Sequence, residues 1–584
     1  MLNRIIGFII VLIFLVISLI GKLICVLIGG DVHKDIDFLG GYSGGDVYQD
    51  DAYREYKHLR KPKKTPTFEE FCYPSKYKIQ PQQEFAADYM KPGNGNGESM
   101  LIFHKIGAGK SCLSIQVSEK WKKKGKPLLI MPASLIPGFR SELRSKCAGD
   151  TYLTQSERDE LADLKPGSKE YRLIIKRSDA RIDEVYQLYS YNKFASSITE
   201  NGVKSIKAPI IIVDEVQNIN GTKGTFFTSV AMWIDTHRDA PVVLMSGTPI
   251  FDSSKEIYGL AQLLRIENID KKTGEPVELF ITPENISKLF ANKVSYYAGA
   301  PPHTFPTVYV KVKKCVMSKH QARWYKSEVE AEMNALGDIK LKQIANDFYI
   351  KSRQRSNIVY PNGLKGQAGM TALTKTLIRN SLETYSCKYA ALMKKLRRGG
   401  LSFVYVEFTR FGGIAALSKI LRASGWSDFS KNGPGTKTFV VWSGDQTKDE
   451  KDTIRATFNS EENDDGSQIQ VIIGSPSIKE GVSLLRVRSV HVMSTYWNHS
   501  RLEQVYGRAV RYCSHKFVPK SERDVTIYIY AAVTSKRTSK DPSPLESIDL
   551  YMLAIADKKK DESEPYVTAL MDVAVDRYLF NKST

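Results

Sequence analysis

Lys110-Ser111 stand directly after Gly107-Ala108-Gly109, at the end of an apolar run that begins at Leu101. A glycine turn between a buried strand and a helix lets backbone N–H groups close on phosphate oxygens at the positive helix end. Lys110 would then reach the β- and γ-phosphates of a nucleotide, and the Ser111 hydroxyl would ligate Mg2+. The strict GxxxxGK[ST] spacing fails, because His104 occupies the place of its first glycine. A second acidic element is needed for the metal, and Ile210–Gln217 (IIIVDEVQ) supplies it. A strand end there would set Asp214 beside Mg2+, and Glu215 would orient or deprotonate the attacking water. Far along the chain, Gln504–Arg511 reads QVYGRAVR, with Arg508 and Arg511 at i and i+3, a spacing that puts both on one face of a helix. Guanidinium groups brought to the γ-phosphate would stabilise transition-state charge as arginine fingers do.

Two further signals are weak when taken alone. Ser246-Gly247-Thr248 follows the apolar run Val242–Met245, and its hydroxyls could relay hydrogen bonds from a nucleotide site to bound nucleic acid. Gln83 carries an amide, which offers both the donor and the acceptor that adenine's edge requires.

Positioning these groups takes strands that end side by side. Apolar runs at Leu128–Met131, Pro209–Val213, Val242–Met245, Phe403–Val406, Phe439–Val441, Gln470–Ile473 and Val490–Met493 read as buried strands. Most are followed by helical spacing, the pattern of a parallel α/β sheet. The runs form two groups separated by a polar, helix-prone stretch. The expected organisation is therefore a hydrophobic segment (1–30), a flexible tether (31–72), a first α/β lobe (73–266), a helical connector (267–388), a second lobe (389–540) and a helical tail (541–584) packed on the second lobe.

A chain of 584 residues exceeds one hydrophobic core. Its net charge of +20 suits a polyanionic partner. The seven cysteines are odd in number, scattered and without a CxxC pair, which argues against a disulfide framework or zinc site and for packing residues in a reducing compartment. Ile5 to Gly21 lacks charge and Leu23 to Gly30 continues the apolar stretch, approaching the ~20 residues that cross a bilayer. A signal peptide is the rival reading, but no convincing small-residue cleavage site follows. An uncleaved anchor with its C-terminal side in the cytosol is expected.

The ordered set Gln83, HKIGAGKS, LLIMPASLIPGF, VDEVQ, MSGTP, VYVEF, GSPSIKEGVSL and QVYGRAVR resembles a superfamily 2 helicase or translocase over residues 73 to 535. SGTPIFDSSKEIYGLAQLL and STYWNHSRLEQVYGRAVRYCSHK are similar to the Swi/Snf-like branch. FCYPSKYKIQPQQEF, SRQRSNIVYP and RYCSHK are similar to the helicases of large DNA viruses, the group holding poxvirus nucleoside triphosphate phosphohydrolase I and the early transcription factor small subunit. The resemblance implies two RecA-like lobes with ATP in the cleft and nucleic acid across both. It assigns phosphate and Mg2+ contacts to Gly107, Gly109, Lys110, Ser111 and Asp214, and nucleotide recognition to Gln83. Catalysis falls to Glu215, Gln504, Arg508 and Arg511, and coupling or nucleic-acid contact to Ser134, Ser246, Thr248 and Gly481. Helicase P-loops often lack the first glycine, which accounts for His104. Three positions depart from the common pattern: Ser111 replaces threonine, Gln217 replaces histidine, and Val505 stands where many members have arginine.

Motors of this kind grip phosphates rather than bases. Lys122, Lys123, Lys124, Lys126 and Lys558-Lys559-Lys560 are candidate contacts. The expected function is an ATP-dependent nucleic-acid motor of a large DNA virus, acting in transcription and located in the virion and host cytoplasm. The alternatives are a transcription-factor subunit working with a viral polymerase or factor partner, and a motor tethered to a membrane through residues 5–30.

Overall fold

The computed structural model describes residues 49, 52, 54–60, 66–74, 77–94, 98–105, 107–165, 167–219, 224–269, 276–336, 349–396, 399–479 and 482–580. The apolar segment 5–30 lies outside them. Among the described residues no helix is long and apolar enough to cross a membrane.

Two parallel sheets organise the chain. The first contains β1 (Ser99–His104), β2 (Leu128–Met131), β3 (Gln187–Ser190), β4 (Ile211–Asp214), β5 (Val242–Ser246) and β8 (Val294–Tyr297), in the order β3-β2-β4-β5-β1-β8. Between β5 and β8, β6 (Asn268–Ile269) and β7 (Pro276–Val277) form a small antiparallel ladder. The second sheet is ordered β11-β12-β13-β10-β14-β15-β9. Its strands are β9 (Thr307–Val316), β10 (Ser402–Tyr405), β11 (Ser427–Asp428), β12 (Thr438–Trp442), β13 (Val471–Gly474), β14 (Ser489–Val492) and β15 (Asp524–Val533). Central strands such as β1, β2 and β10 are buried along their whole length, as parallel strands covered on both faces must be.

Register sets the chemistry. In the first sheet Phe103 pairs with Ser246, and Asp214 with Met245. The C-terminal ends of β1, β4 and β5 therefore lie abreast, where ligands of open α/β sheets bind. The glycine loop, Asp214-Glu215 and Ser246-Gly247-Thr248 all leave from that edge.

The structure corrects several expected boundaries. The connector 267–388 is not simply helical: it contributes β8 to the first sheet beside β1, and β9 to the second, paired with β15 along ten residues. β9 alternates Val308, Val310 and Val312 with Tyr309 and Lys311, a polar-looking pattern that masks its strand character. The tether 31–72 is in part folded. Ala52, Tyr56 and Leu59 join the core of the first lobe, with Tyr56 edge-on to Phe85. Phe68–Cys72 is a helix capped by Thr67 and Glu70.

The tail likewise reaches both lobes rather than the second alone. Its helix Ile548–Asp572 starts in the second lobe, where Asp549 meets Lys388 at 3.0 Å in the fully buried interior. At ~1.5 Å per residue the helix is about 37 Å long, enough to cross to the first lobe. There Leu570, Val573 and Ala574 enter one core cluster, and Val575, Leu579 and Phe580 another.

Four of the seven cysteines, expected to be free, are paired: Cys72 with Cys513, and Cys112 with Cys147. Cys72 and Cys513 lie 441 residues apart, so only the tertiary fold could bring them together.

Candidate nucleotide site

The glycine loop is shaped by two glutamines on the helix Pro81–Tyr89. The Gln82 side-chain amide donates to the Ala108 carbonyl at 3.1 Å, and that of Gln83 to the Gly109 carbonyl at 3.0 Å. In a trans peptide the next N–H points the opposite way. Holding these two carbonyls therefore aims the Gly109 and Lys110 N–H groups away from the glutamine helix, as a phosphate cradle requires. The first N–H groups of the helix Lys110–Trp121 lack intrahelical partners and add to that cradle. Both glycines are demanded by geometry. Gly109 has φ of +74°, and a Cβ there would lie 2.4 Å from Gln83 Nε2. Gly107 has φ of +84°, and its Cβ would meet Phe305 at 3.0 Å and Tyr512 at 3.3 Å.

Lys110 Nζ donates to the His104 carbonyl at 2.9 Å, and a Cβ on Gly247 would lie 3.3 Å from the same ammonium. The lysine thus sits between the β1 and β5 loops. Ser111 is exposed on the first turn of its helix.

Asp214 and Glu215 stand where predicted, at the end of β4. Burial, with Glu215 beside it, pushes the Asp214 carboxyl up to about 7, opposed by Lys110 and by the Glu215 N–H, which donates to Asp214 Oδ1 at 2.9 Å. The half-buried carboxyls of Asp214 and Glu215 and the exposed hydroxyl of Ser111 are hard oxygen donors of the kind that fits Mg2+. Ser111 and Asp214 would hold the ion, which when bound would neutralise charge on the phosphates. Glu215 adopts the left-handed region with φ of 53°, a conformation that costs a side-chain-bearing residue free energy and marks functional sites. Tyr191, which the sequence did not single out, holds it there: its hydroxyl donates to the carbonyls of both Asp214 and Glu215.

From Glu215 a relay runs to the neighbouring strand. Gln217 Nε2 donates to Glu215 Oε2 at 2.5 Å, the Ser246 hydroxyl donates to Gln217 Oε1 at 2.6 Å, and the Thr248 N–H donates to Ser246 Oγ at 2.9 Å. An amide is suited to this place, because it both donates and accepts without changing charge. The replacement of histidine by Gln217 therefore preserves the connection.

The second lobe supplies the other half. The helix His499–Tyr506 ends before both arginines, so Arg508 and Arg511 lie in the turns beyond it rather than on one helical face. Arg508 Nε donates back to the Gln504 carbonyl at 3.3 Å. Arg511 is anchored on the Ser483 hydroxyl; burial pulls its guanidinium below the usual range, and the Glu215 charge opposes that shift. The structure thus sets Arg511 in the field of Glu215 across the cleft. Glu503, also unforeseen, lies in the field of Lys105 from the glycine loop. Ser134 is exposed in the turn after β2, and Thr248 is half-buried. Gly481 lies outside the described residues.

These features define a class: an ATPase whose nucleotide site is divided between two α/β lobes. Residues 387–513 match the helicase conserved C-terminal domain. A protein of Acanthamoeba polyphaga mimivirus, named as an ATP-dependent RNA helicase, is 40% identical over 559 residues, covering 91% of this chain and 94% of its own length. A protein of Invertebrate iridescent virus 3, named as a helicase, is 25% identical over 82% of this chain and 51% of its own length. The early transcription factor 70 kDa subunit of Myxoma virus is 24% identical over 81% of this chain and 74% of its own length. The SWI2/SNF2 ATPase core of Sulfolobus solfataricus, solved with dsDNA, aligns over 88% of this chain at 16% identity and a TM-score of 0.30, too loose a fit to bear on the fold. The chain belongs to the superfamily 2 helicases of large DNA viruses and is a nucleic-acid-dependent ATP hydrolase.

Proposed function

We propose that this chain is a motor in which ATP closes the two lobes and nucleic acid, held by its phosphates across both, accelerates hydrolysis. The observation that carries the reading is the unbroken relay from Glu215 through Gln217 and Ser246 to the Thr248 backbone. It ties the residue that would orient the attacking water to the loop placed to sense a bound strand. Arg511, arriving from the second lobe, completes charge stabilisation only when the lobes approach. ATP occupancy then acts as the switch for closure.

Lys122, Lys123, Lys124 and Lys126 follow the P-loop helix, and Ser134 is exposed in the adjacent turn; these are the proposed backbone contacts. Viral transcription is the proposed setting, in the virion and host cytoplasm. The Myxoma virus relative supports a second version, in which hydrolysis drives promoter binding or release beside a transcription partner. Residues 5–30 are a proposed membrane tether, to be tested by flotation with liposomes with and without residues 1–30.

The test is ATP hydrolysis with and without DNA or RNA, followed by strand displacement against triplex displacement. Stimulation by nucleic acid supports the motor. A folded protein that hydrolyses ATP under neither condition contradicts it.

A further inference from the structure

The floor of the glycine loop contains a polar chain that the hydrolysis site itself does not use. His104, Ser295 and Asp576 are each fully buried, and they come from three separate places: the end of β1, the neighbouring strand β8, and the segment after the tail helix. His104 Nε2 lies 2.9 Å from Ser295 Oγ, and the Ser295 hydroxyl donates to Asp576 Oδ2 at 2.6 Å. Asp576 Oδ1 accepts from the Tyr296 N–H at 2.9 Å, which holds the carboxyl group against β8. Ser295 has one proton, and it goes to the carboxylate. The serine oxygen then accepts from His104 Nε2–H, and because burial, with Lys110 nearby, pulls the imidazole down to about 3, the ring is neutral and its Nδ1 carries no proton. That nitrogen is buried with no hydrogen-bond partner.

Buried polar groups cost free energy unless paired, and a bare buried nitrogen costs it outright. A valine or phenylalanine at 104 would pack between the same strands without that cost. What the polar chain adds is a fixed orientation for His104, whose carbonyl receives Lys110 Nζ. The same C-terminal segment supports the other side of the loop. The Val575 N–H donates to the Val294 carbonyl at 2.8 Å. Phe580 stands edge-on to Tyr297 and to Phe85, and Phe85 lies on the helix that presents Gln82 and Gln83.

We propose that Asp576 is a positioning residue of the ATP site, acting through Ser295 and His104 to set the backbone carbonyl on which Lys110 is held. It touches neither nucleotide nor metal. Its role is to keep the loop and its lysine in the phosphate-ready geometry, so its removal weakens ATP capture more than turnover. The proposal rests on the assignment of the glycine loop as the ATP site.

The test uses the full chain carrying Ser295→Ala, Asp576→Asn or Ser295→Thr. KM for ATP, kcat and thermal midpoint are measured for each, with binding of a fluorescent ATP analogue as an independent readout. Ser295→Ala breaks the chain with the loss of one oxygen, and Asp576→Asn reverses its polarity by making the terminal group a donor. Both are expected to raise KM for ATP and the analogue Kd about tenfold with kcat within about threefold. Ser295→Thr, which restores the hydroxyl on a strand that suits a β-branched residue, returns both to near the wild-type values. A role in folding alone would lower kcat with the folded fraction and leave KM unmoved. An unchanged KM and Kd in folded Ser295→Ala overturns the proposal, whatever Asp576→Asn does. A wild-type chain that neither binds nor hydrolyses ATP would overturn both the proposal and the site beneath it, which separates the two failures.

Discussion

Replacing Gly109 with alanine sets the glycine loop against its own support. The native φ of +74° lies in the left-handed region, which costs a side-chain-bearing residue about 1–2 kcal/mol. The new Cβ would lie 2.4 Å from Gln83 Nε2, so the amide must leave. It then gives up its bond to the Gly109 carbonyl and the one its Oε1 accepts from the Gln80 N–H at 2.9 Å. At about 1 kcal/mol net for each bond, the total is roughly 3–4 kcal/mol. Since the unliganded loop can relax, this appears as lost ATP affinity, about 10²- to 10³-fold. Gln83→Ala alone loses the same two bonds and should weaken binding about 30-fold. The double variant carries the left-handed cost and the lost bonds once only, so it should bind about as weakly as Gly109→Ala, whereas independent effects would multiply to about 10⁴-fold. Titration of a fluorescent ATP analogue into the four proteins reads the cycle. Multiplicative losses, or a Gly109→Ala protein within threefold of wild type, would refute the reasoning that the glutamine shapes the loop.

Other outcomes follow from the same geometry. Arg511→Ala should lower kcat about 10³-fold with ATP affinity changed far less, because Arg511 lies in the field of Glu215; steady-state ATPase assays check both parameters. Gln217→Leu interrupts the relay and should bring the ratio of nucleic-acid-stimulated to basal hydrolysis close to one. Lys388→Met leaves the buried Asp549 without its cation, held only by the Ala532 N–H and the Thr495 and Ser356 hydroxyls, and should destabilise the second lobe by about 3–5 kcal/mol in urea unfolding. Peptide mapping without reductant should find Cys72 linked to Cys513 and Cys112 to Cys147, and both links should vanish on reduction.

The parts of the site legible in the sequence are those where local pattern and chemistry coincide. The strands before Lys110, Asp214 and Ser246 are continuous apolar runs, and each ends directly in polar groups, so their position at strand ends could be read at once. The parts that were not legible depend on register or on distant contact. β9 hid because a strand packed on one neighbour alternates valine with lysine and tyrosine and looks like a polar connector. The folded portion of 31–72 hid because Ala52, Tyr56 and Leu59, although at the i, i+4 and i+7 spacing of a helical face, make only one short face among charged neighbours and a glycine-rich stretch. Tyr191 precedes a helix without any motif, and only the fold places its hydroxyl on the Asp214 and Glu215 carbonyls. The spacing of Arg508 and Arg511 suggested one helical face, but the chain turns after Tyr506, and both arginines lie beyond the helix end. The cysteine pairs are the clearest case, since nothing local marks Cys72 as a partner of Cys513.

The central claim is that hydrolysis needs both lobes and is driven by nucleic acid. Its most direct measurement is the ATP turnover of wild type, Glu215→Gln and Arg511→Ala, each with and without duplex DNA and single-stranded RNA. Wild type should be stimulated by at least one of them, while both variants still bind ATP but turn over near background in every condition. A wild-type rate indifferent to nucleic acid, or an Arg511→Ala protein that is stimulated as wild type is, would contradict a divided site coupled to a bound strand.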